Sequence, residues 1–524
     1  MKLLSRIVAL CGFVIFNINS IAQERFNVRT EIGLSAAVFV GVSELEDGYG
    51  VVGNGVNPTD SGNYTPLYFT RFTLGGDFVD RKMYFPDSGF NLITYESGMR
   101  FINEQNKYSC IGYKDDGSNP REGFLANFDE EGDTIQIIYY SSPYFGNVGN
   151  STIAPVGLSS SINTDNSFFI SSNILNTESG STGGDFYIQR MAPDGEVLWE
   201  YIYATDAQPE YCNALLPTEN GGVLGLVHLF NAPLGFIKLN SLGEEIINLN
   251  TNYVCFANDL VWSSDENILA AGYGLGTDGL VTGKVFKIDT LGSLVWDTVV
   301  GNGFDQFDLN QFYKVVKSLD ESGYVAGGTK KEFIPEEEQT DSTGSTISQG
   351  WLVKVNEDGE VLWDRTYHYI NTPQEEHTLN DLKATTDGGY IFCGESRDLD
   401  SDQEYTEGPP QQGWLVKVDE FGCLVEDCQL SDDINVIEIE GNKKYFKAGP
   451  IPAADFLNIY QSFNTSSGAS YELIDMTGKV IENFSSMSKG TTMMLDVSKY
   501  NSGTYLLNLM DGGKLLQSEK IVID

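Results

Sequence analysis

Gly350-Trp351-Leu352-Val353-Lys354-Val355-Asn356-Glu357-Asp358-Gly359-Glu360-Val361-Leu362-Trp363 decides the fold. Large and polar residues alternate along its first half, the period of two of a half-buried strand. Asp-Gly supplies the positive φ of a tight hairpin, and Val-Leu-Trp opens a second strand. The stretch recurs as Gly413-Trp414-Leu415-Val416-Lys417-Val418-Asp419-Glu420-Phe421-Gly422. Related versions start at Tyr68, Phe124, Phe186, Phe236 and Val285, making seven copies. Trp199, Trp296 and Trp363 hold the same place in the second strand.

A second unit interleaves with the first: a turn, then a strand ending in Gly. Its clearest copy is Asp387-Gly388-Gly389-Tyr390-Ile391-Phe392-Cys393-Gly394. Relatives run from Glu46 to Gly53, Asp265 to Gly272 and Glu321 to Gly328, with weaker ones at 105–112, 165–172 and 219–227. Each follows a short apolar run such as Leu379-Asn380-Asp381-Leu382-Lys383-Ala384. Four strands per repeat in seven repeats predict an all-β fold, a seven-bladed β-propeller over residues 23–428. Radial packing hides the edges that a sandwich of so many hairpins would expose. The phase stays open. Ala36–Val42 either begins a whole blade or completes one shared with Trp414–Val418 and the Cys423–Cys428 segment.

The composition agrees. The chain has 524 residues, 12% aromatic and 41% hydrophobic, too rich for a disordered acidic chain. Its 56 Gly and 57 Tyr plus Phe favour strands and tight turns over helical bundles. With 32 Lys and Arg against 74 Asp and Glu, the net charge is −42, which opposes nucleic acid and anionic lipid as partners. Only 3 His leave few candidates for imidazole chemistry.

The N-terminus reads as a signal peptide, residues 1–22. Lys2 and Arg6 precede an apolar run from Ile7 to Ile18, and Ser20-Ile21-Ala22 is a small-x-small site. Cleavage is expected between Ala22 and Gln23. Leu10 stands before Cys11 where a lipoprotein needs a small residue, and no later stretch is long and apolar enough to span a bilayer. Export implies oxidising conditions. Cys423 and Cys428 are expected to close a local disulfide. Cys110, Cys212, Cys255 and Cys393 are spread out and read as buried thiols. With no CxxC pair, a zinc ribbon or thioredoxin-type site is excluded.

Past a connector at 429–448 the repeat stops. Residues 449–524 hold short alternating strands broken by Thr477-Gly478, Ser502-Gly503 and Asp511-Gly512-Gly513, a small antiparallel sandwich. The expected form is a small Ig-like β-sandwich. Of the acid, 66 of 74 side chains fall in residues 23–444, so the charge belongs to the repeats and the connector.

Two resemblances follow. The Gly-Trp-Leu-Val-Lys-Val, Asp-Gly-x-Val-Leu-Trp and Asp-Gly-Gly-Tyr-Ile runs resemble propeller-type repeats of exported Bacteroidota proteins. More distantly they resemble quinoprotein propellers, whose quinone- and metal-binding residues have no counterparts here. The motif order of the tail resembles the type A sorting domain of the type IX secretion system, with Ile451 in place of the usual Asn. This resemblance implies export, recognition of the tail by the type IX machinery at the outer membrane, and release or attachment to surface lipopolysaccharide.

Candidate sites are few. Asp398, Asp400, Asp402 and Glu404 alternate like oxygen ligands around calcium, although Gln403 stands where an EF-hand turn needs Gly. A solvated acidic loop is the plainer reading of that run. Glu336-Glu337-Glu338 reads as a solvated insertion. His368 and His377 flank Glu375 and Glu376, but no nucleophile or metal is positioned beside them, so surface roles are expected. Asp133-Thr134-Ile135, Asp289-Thr290-Leu291 and Asp297-Thr298-Val299 resemble a short glycosylation sequence of some Bacteroidota. No GxSxG, HExxH or P-loop occurs. No catalytic or cofactor-binding residue is assigned. The reading is a secreted or cell-surface binding protein with an unidentified extracellular glycan or protein ligand. Its alternative is a glycan-active hydrolase or lyase using loop carboxylates.

Overall fold

The computed structural model describes residues 24–523. Breaks fall at 35, 60–61, 85–90, 95–99, 103–106, 116–121, 141–151, 159–166, 176–183, 204–209, 230–232, 277–279, 305–309, 334–345, 370–374, 399–410, 426–427 and 430–444, with short ones beyond. The described residues are strands and turns without a helix. They divide into two compact units, 1–426 and 427–524.

In the first unit, antiparallel strands form small sheets in chain order. The first holds Ala36–Glu44, Gly48–Thr59, Leu67–Thr73 and Phe78–Tyr84. The second holds Asn91–Thr94 with Arg100–Ile102, then Lys107–Asp115, Glu122–Phe128 and Thr134–Tyr140. The third holds Thr152–Leu158, Phe168–Leu175, Gly184–Met191 and Val197–Tyr203. The fourth holds Glu210–Pro217, Val223–Leu229, Gly235–Leu239 and Glu245–Asn250. The fifth holds Phe256–Trp262, Ile268–Leu275, Val281–Ile288 and Leu294–Phe304.

Two further groups are joined into one sheet by a single parallel pair, Ser348 with Glu376. The sixth group is Gln311–Lys317, Tyr324–Phe333, Thr346–Val355 and Val361–Tyr367. The seventh is Glu375–Ala384, Tyr390–Asp398 and Gln411–Val418, completed by Phe26–Thr30 from the other end of the unit. Phe26 pairs with Lys417 and Thr30 with Gly413. The phase is thereby resolved: Ala36–Glu44 opens its own sheet, while the closing strand is Phe26–Thr30, and Cys423 lies in a turn.

The quoted hairpins share one five-residue turn. Asn356 N donates to Glu360 O at 2.9 Å, and Gly359 N to Asn356 O at 3.1 Å. The Asn356 side chain caps the turn, its Oδ1 accepting from Glu360 N at 2.9 Å. Gly359 has φ +86°, the left-handed conformation that favours glycine. Its bare Cα also lets the preceding group approach: an added Cβ would lie 2.7 Å from the Trp296 ring. Turn glycines seat the other groups likewise: Gly132 on Phe69, Gly195 on Ile138, Gly243 on Trp199, Gly292 on Phe236, Gly422 on Trp363. Gly76 of the first sheet meets Phe26, so the last group packs on the first.

Aromatic and aliphatic side chains between neighbouring groups form the core. Leu269, Val285, Phe312, Tyr324 and Trp351 pack together between the fifth and sixth. Phe26, Phe39, Tyr49, Phe72, Ile391 and Leu415 do so between the seventh and first. Trp351 and Trp414 are fully buried; truncating either to Ala costs roughly 3–5 kcal/mol.

The first strand of the second unit, Phe446–Gly449, starts within the stretch read as connector. With Phe456–Gln461 and Thr492–Asp496 this strand makes a three-stranded sheet. Val480–Ser485, Ser470–Asp475, Gly503–Asp511 and Lys514–Ile523 make a four-stranded one. Alternate residues turn inward, and Leu457, Ile459, Tyr471, Leu473, Leu507, Leu509 and Ile521 share one core.

Candidate functional site

Three buried lysines of the first unit are paired across the two interleaved repeats. Lys287, Lys354 and Lys417 hold the same place on third strands and are almost wholly buried. Each reaches a carboxylate from the turn before the second strand. Lys287 Nζ lies 3.1 Å from Asp265 and 3.3 Å from Glu357, Lys354 Nζ 3.7 Å from Asp320, and Lys417 Nζ 2.9 Å from Asp387. An ammonium out of water needs such a partner. Burial works against the Asp265 charge, but the Ser263 hydroxyl and Lys287 outweigh it and bring its pKa to about 2. Burial lowers the Lys354 pKa despite Asp320. Each pair ties a third strand to the turn before the second strand of its own sheet, and Lys287 also reaches Glu357 of the following group.

First strands of successive groups are neighbours, with 375–384 beside both 311–317 and 36–44. Two of them carry an Asn-Asp clamp. Asn258 Nδ2 donates to Phe312 O at 2.7 Å, while Asp259 accepts from Val315 N at 3.0 Å. Asn380 Nδ2 donates to Phe39 O at 2.9 Å, while Asp381 accepts from Val42 N at 3.0 Å and from Lys383 at 2.8 Å. The sequence reading quoted 379–384 only as an apolar run. The Asn-Asp repetition at 258–259 and 380–381 was the signal available for the clamp.

The histidines are built into the fold. His377 is buried against Trp414, ring centroids 4.7 Å apart, so a surface role does not hold for it. Its Nε2 accepts from Tyr369 N at 2.9 Å. His368 is exposed, and its carbonyl accepts from Asn27 at 2.8 Å. His228 is buried; burial lowers its pKa to about 4, against the Ala257 backbone contact. Cys423 and Cys428 are disulfide-bonded, and Cys110, Cys212, Cys255 and Cys393 are free and buried. Burial pushes the Cys212 thiol up to about 12, a poor nucleophile.

Asp398 ends the strand Tyr390–Asp398, whereas Asp400, Asp402 and Glu404 lie outside the described residues. So do Glu336, Glu337 and Glu338, the cleavage pair Ala22 and Gln23, and Ile451. Among the described residues no three ligand-type side chains gather into a metal site. Of the Asp-Thr sequences, Asp133 pairs with Lys82 at 2.8 Å and Thr298 donates to Gly359 O at 2.5 Å.

The second unit is locked across its sheets. Gln517 Nε2 donates to Phe446 O at 2.9 Å, and its Oε1 accepts from Phe446 N at 3.0 Å. The buried Tyr471 hydroxyl meets Gln461. Asp475 N donates to Lys479 O at 3.0 Å and Gly478 N to Asp475 O at 2.9 Å, the same pair of hydrogen bonds as in the repeats, with Gly478 at φ +83°.

Residues 447–524 match the family described as secretion system C-terminal sorting domain. The C-terminal unit is a type IX sorting domain, the address of a secreted cargo protein. No curated protein matches the chain. Among solved structures it is similar to a protein of unknown function from Bacteroides caccae (16% identity, 57% of this chain and 90% of that one, TM-score 0.26). It is also similar to virginiamycin B lyase from Staphylococcus aureus (10%, 75% and 99%, TM-score 0.38). A third is Kuenenia stuttgartiensis hydrazine synthase (11%, 60% and 80%, TM-score 0.39). No helix among the described residues is long and apolar enough to cross a membrane.

Proposed function

We propose that the chain is a binding cargo of the type IX route, a seven-bladed β-propeller after a signal peptide and ahead of an Ig-like sorting domain. The seven-fold reading is supported by the turn-glycine contacts, which run through successive groups and return from Phe26 to Gly76. Export is carried by the match over 447–524.

The contrast between connections supports binding. Turns from third to fourth strands are five-residue, whereas the connections from second to third strand span 334–345 in the sixth group and 399–410 in the seventh. Long loops on a rigid scaffold are where recognition is usually placed. The ligand reading is an extracellular glycan or protein. Asp398, Asp400, Asp402 and Glu404 would take calcium as part of the 399–410 loop, a hard cation on oxygen ligands. Calorimetry on metal-free protein tests this: no heat at millimolar calcium removes it.

Two experiments test the whole. Truncation at 446 should leave the protein in the periplasm, where the full chain reaches the surface or medium; equal export of both forms rejects the sorting role. Glycan and peptide arrays probed with the secreted protein should give saturable binding without product. Turnover abolished by one loop carboxylate change would make it an enzyme.

A further inference from the structure

The outermost strands share one feature, a slip of register just after the turn. In six groups the fourth strand opens with a β-bulge. Arg71 pairs with Asp80 and Phe72 with Phe78, leaving Val79 unpaired between them. The same slip occurs at Ile135, Leu198, Ile246, Val295 and Leu362. Each bulged residue is aliphatic, and the six are 44–56% exposed. A bulge twists a free edge away from strand pairing. That device works with a polar residue too, so six aliphatic ones call for another reason. Phe78, Leu294 and Val361, one residue earlier, are exposed as well. The seventh group's edge strand, Phe26–Thr30, pairs in continuous register and lacks the feature.

The surroundings are acidic. The six turns leading toward these positions, 73–77, 129–133, 192–196, 240–244, 289–293 and 356–360, hold twelve Asp and Glu and no Lys or Arg. Asp77, Asp133, Glu196, Glu244 and Glu360 each stand two residues before a bulged aliphatic. Repeated aliphatic side chains beside carboxylates complement a chain that alternates apolar and cationic groups. Self-association and anionic surfaces are opposed by the net charge of −42.

We propose that this bulged rim docks a basic, aliphatic-rich polypeptide, which meets several equivalent sites at once and gains affinity by avidity. It is a second surface, independent of the loops invoked above.

The probe is a synthetic peptide of alternating lysine and leucine, titrated against the full chain by fluorescence anisotropy; a lysine–serine peptide is the control. The lysine–leucine peptide should bind tighter than its control, and added salt should weaken it. A variant with V79S, I135S, L198S, I246S, V295S and L362S should bind about tenfold weaker or less, as apolar contact is lost. Its circular dichroism should match the parent, because the six side chains are exposed. E196Q, E244Q and E360Q together should flatten the salt dependence. Equal binding of both peptides, unchanged binding by the serine variant, or no binding at all overturns the proposal. Concentration-dependent dimers in sedimentation, or cosedimentation with neutral phosphatidylcholine vesicles, lost in the serine variant, would instead assign the rim to a second copy or to lipid and likewise overturn it.

Discussion

The joint between the fifth and sixth groups and the joint between the seventh and first use the same clamp. Asn258-Asp259 holds Phe312 and Val315 in one, and Asn380-Asp381 holds Phe39 and Val42 in the other. They differ in what the chain does for them. At the first the partners are 54 to 56 residues apart in the chain, so closing the contact costs less loop entropy. At the second the partners are separated by 339 to 341 residues. Both joints carry further side-chain bonds, Lys287, Trp296 and Thr298 reaching Glu357 and Gly359 across the first. At the second, Arg25 pairs with Asp419 at 3.0 Å, Trp414 Nε1 donates to Asn27 at 2.7 Å, and Thr386 Oγ1 donates to Glu44 at 2.7 Å. What sets the closing joint apart is the strand it borrows from the other end of the unit.

The sharpest way to break this contrast is to delete residues 24–30. That exposes the edge of Gln411–Val418 and removes the buried Phe26. A loss of roughly 4 kcal/mol or more is expected in urea unfolding, and the free peptide of that strand should restore part of it. An unchanged midpoint would mean that the joint closes without the strand.

Next in size is Asp381→Ala. It strands a buried Val42 N–H and the Lys383 charge, at about 3–4 kcal/mol. Asp259→Ala should cost about 2 kcal/mol, since no lysine is bonded to it in the clamp. Equal losses would show that the two clamps carry equal weight.

His228 gives an internal joint its own acid sensitivity. Its Nε2 accepts from Ala257 N at 2.8 Å, between the fourth and fifth sheets. The folded pKa of about 4 lies below the ordinary 6.5, so the unfolded chain binds more protons between those values. Its stabilisation is complete above pH 6.5 and is lost as the pH falls to about 4, some 3 kcal/mol. His228→Gln should remove that slope from denaturation midpoints measured across the window; a parallel slope in the variant would deny it.

Smallest is Glu44→Gln, on the exposed side of the closing joint. Its loss should stay under about 1 kcal/mol. A larger one would mark Glu44 as a principal bond of the closure.

Much of the strand order was legible because Trp351-Leu352-Val353-Lys354-Val355 alternates and Asp358-Gly359 turns. The closing strand was not. Phe26-Asn27-Val28-Arg29-Thr30 is short, and its partner is distant in the chain, so no local period announces it. The Val361-Leu362-Trp363 run breaks alternation, and only the register shows why: Leu362 is the bulge. The lysine–aspartate pairs were half visible, each partner in a separate repeat unit. His377 read as a surface residue because its burial depends on Trp414, brought there by folding. The acidic 400–404 run lies outside the described residues, and its ligand reading stands as it did from sequence.

Phe26–Thr30 has one more consequence. Because this strand lies beside Gln411–Val418, the start and finish of the repeat region are spatial neighbours. The order of sheets is then a matter of where the gene happens to open the circle. A circular permutant joining 423 to 24 through a short linker, and opened between Asn250 and Phe256, would keep every strand pair of the first unit. It would make the borrowed strand covalently contiguous, and should refold faster than the natural order, which must wait for its two extremities to meet.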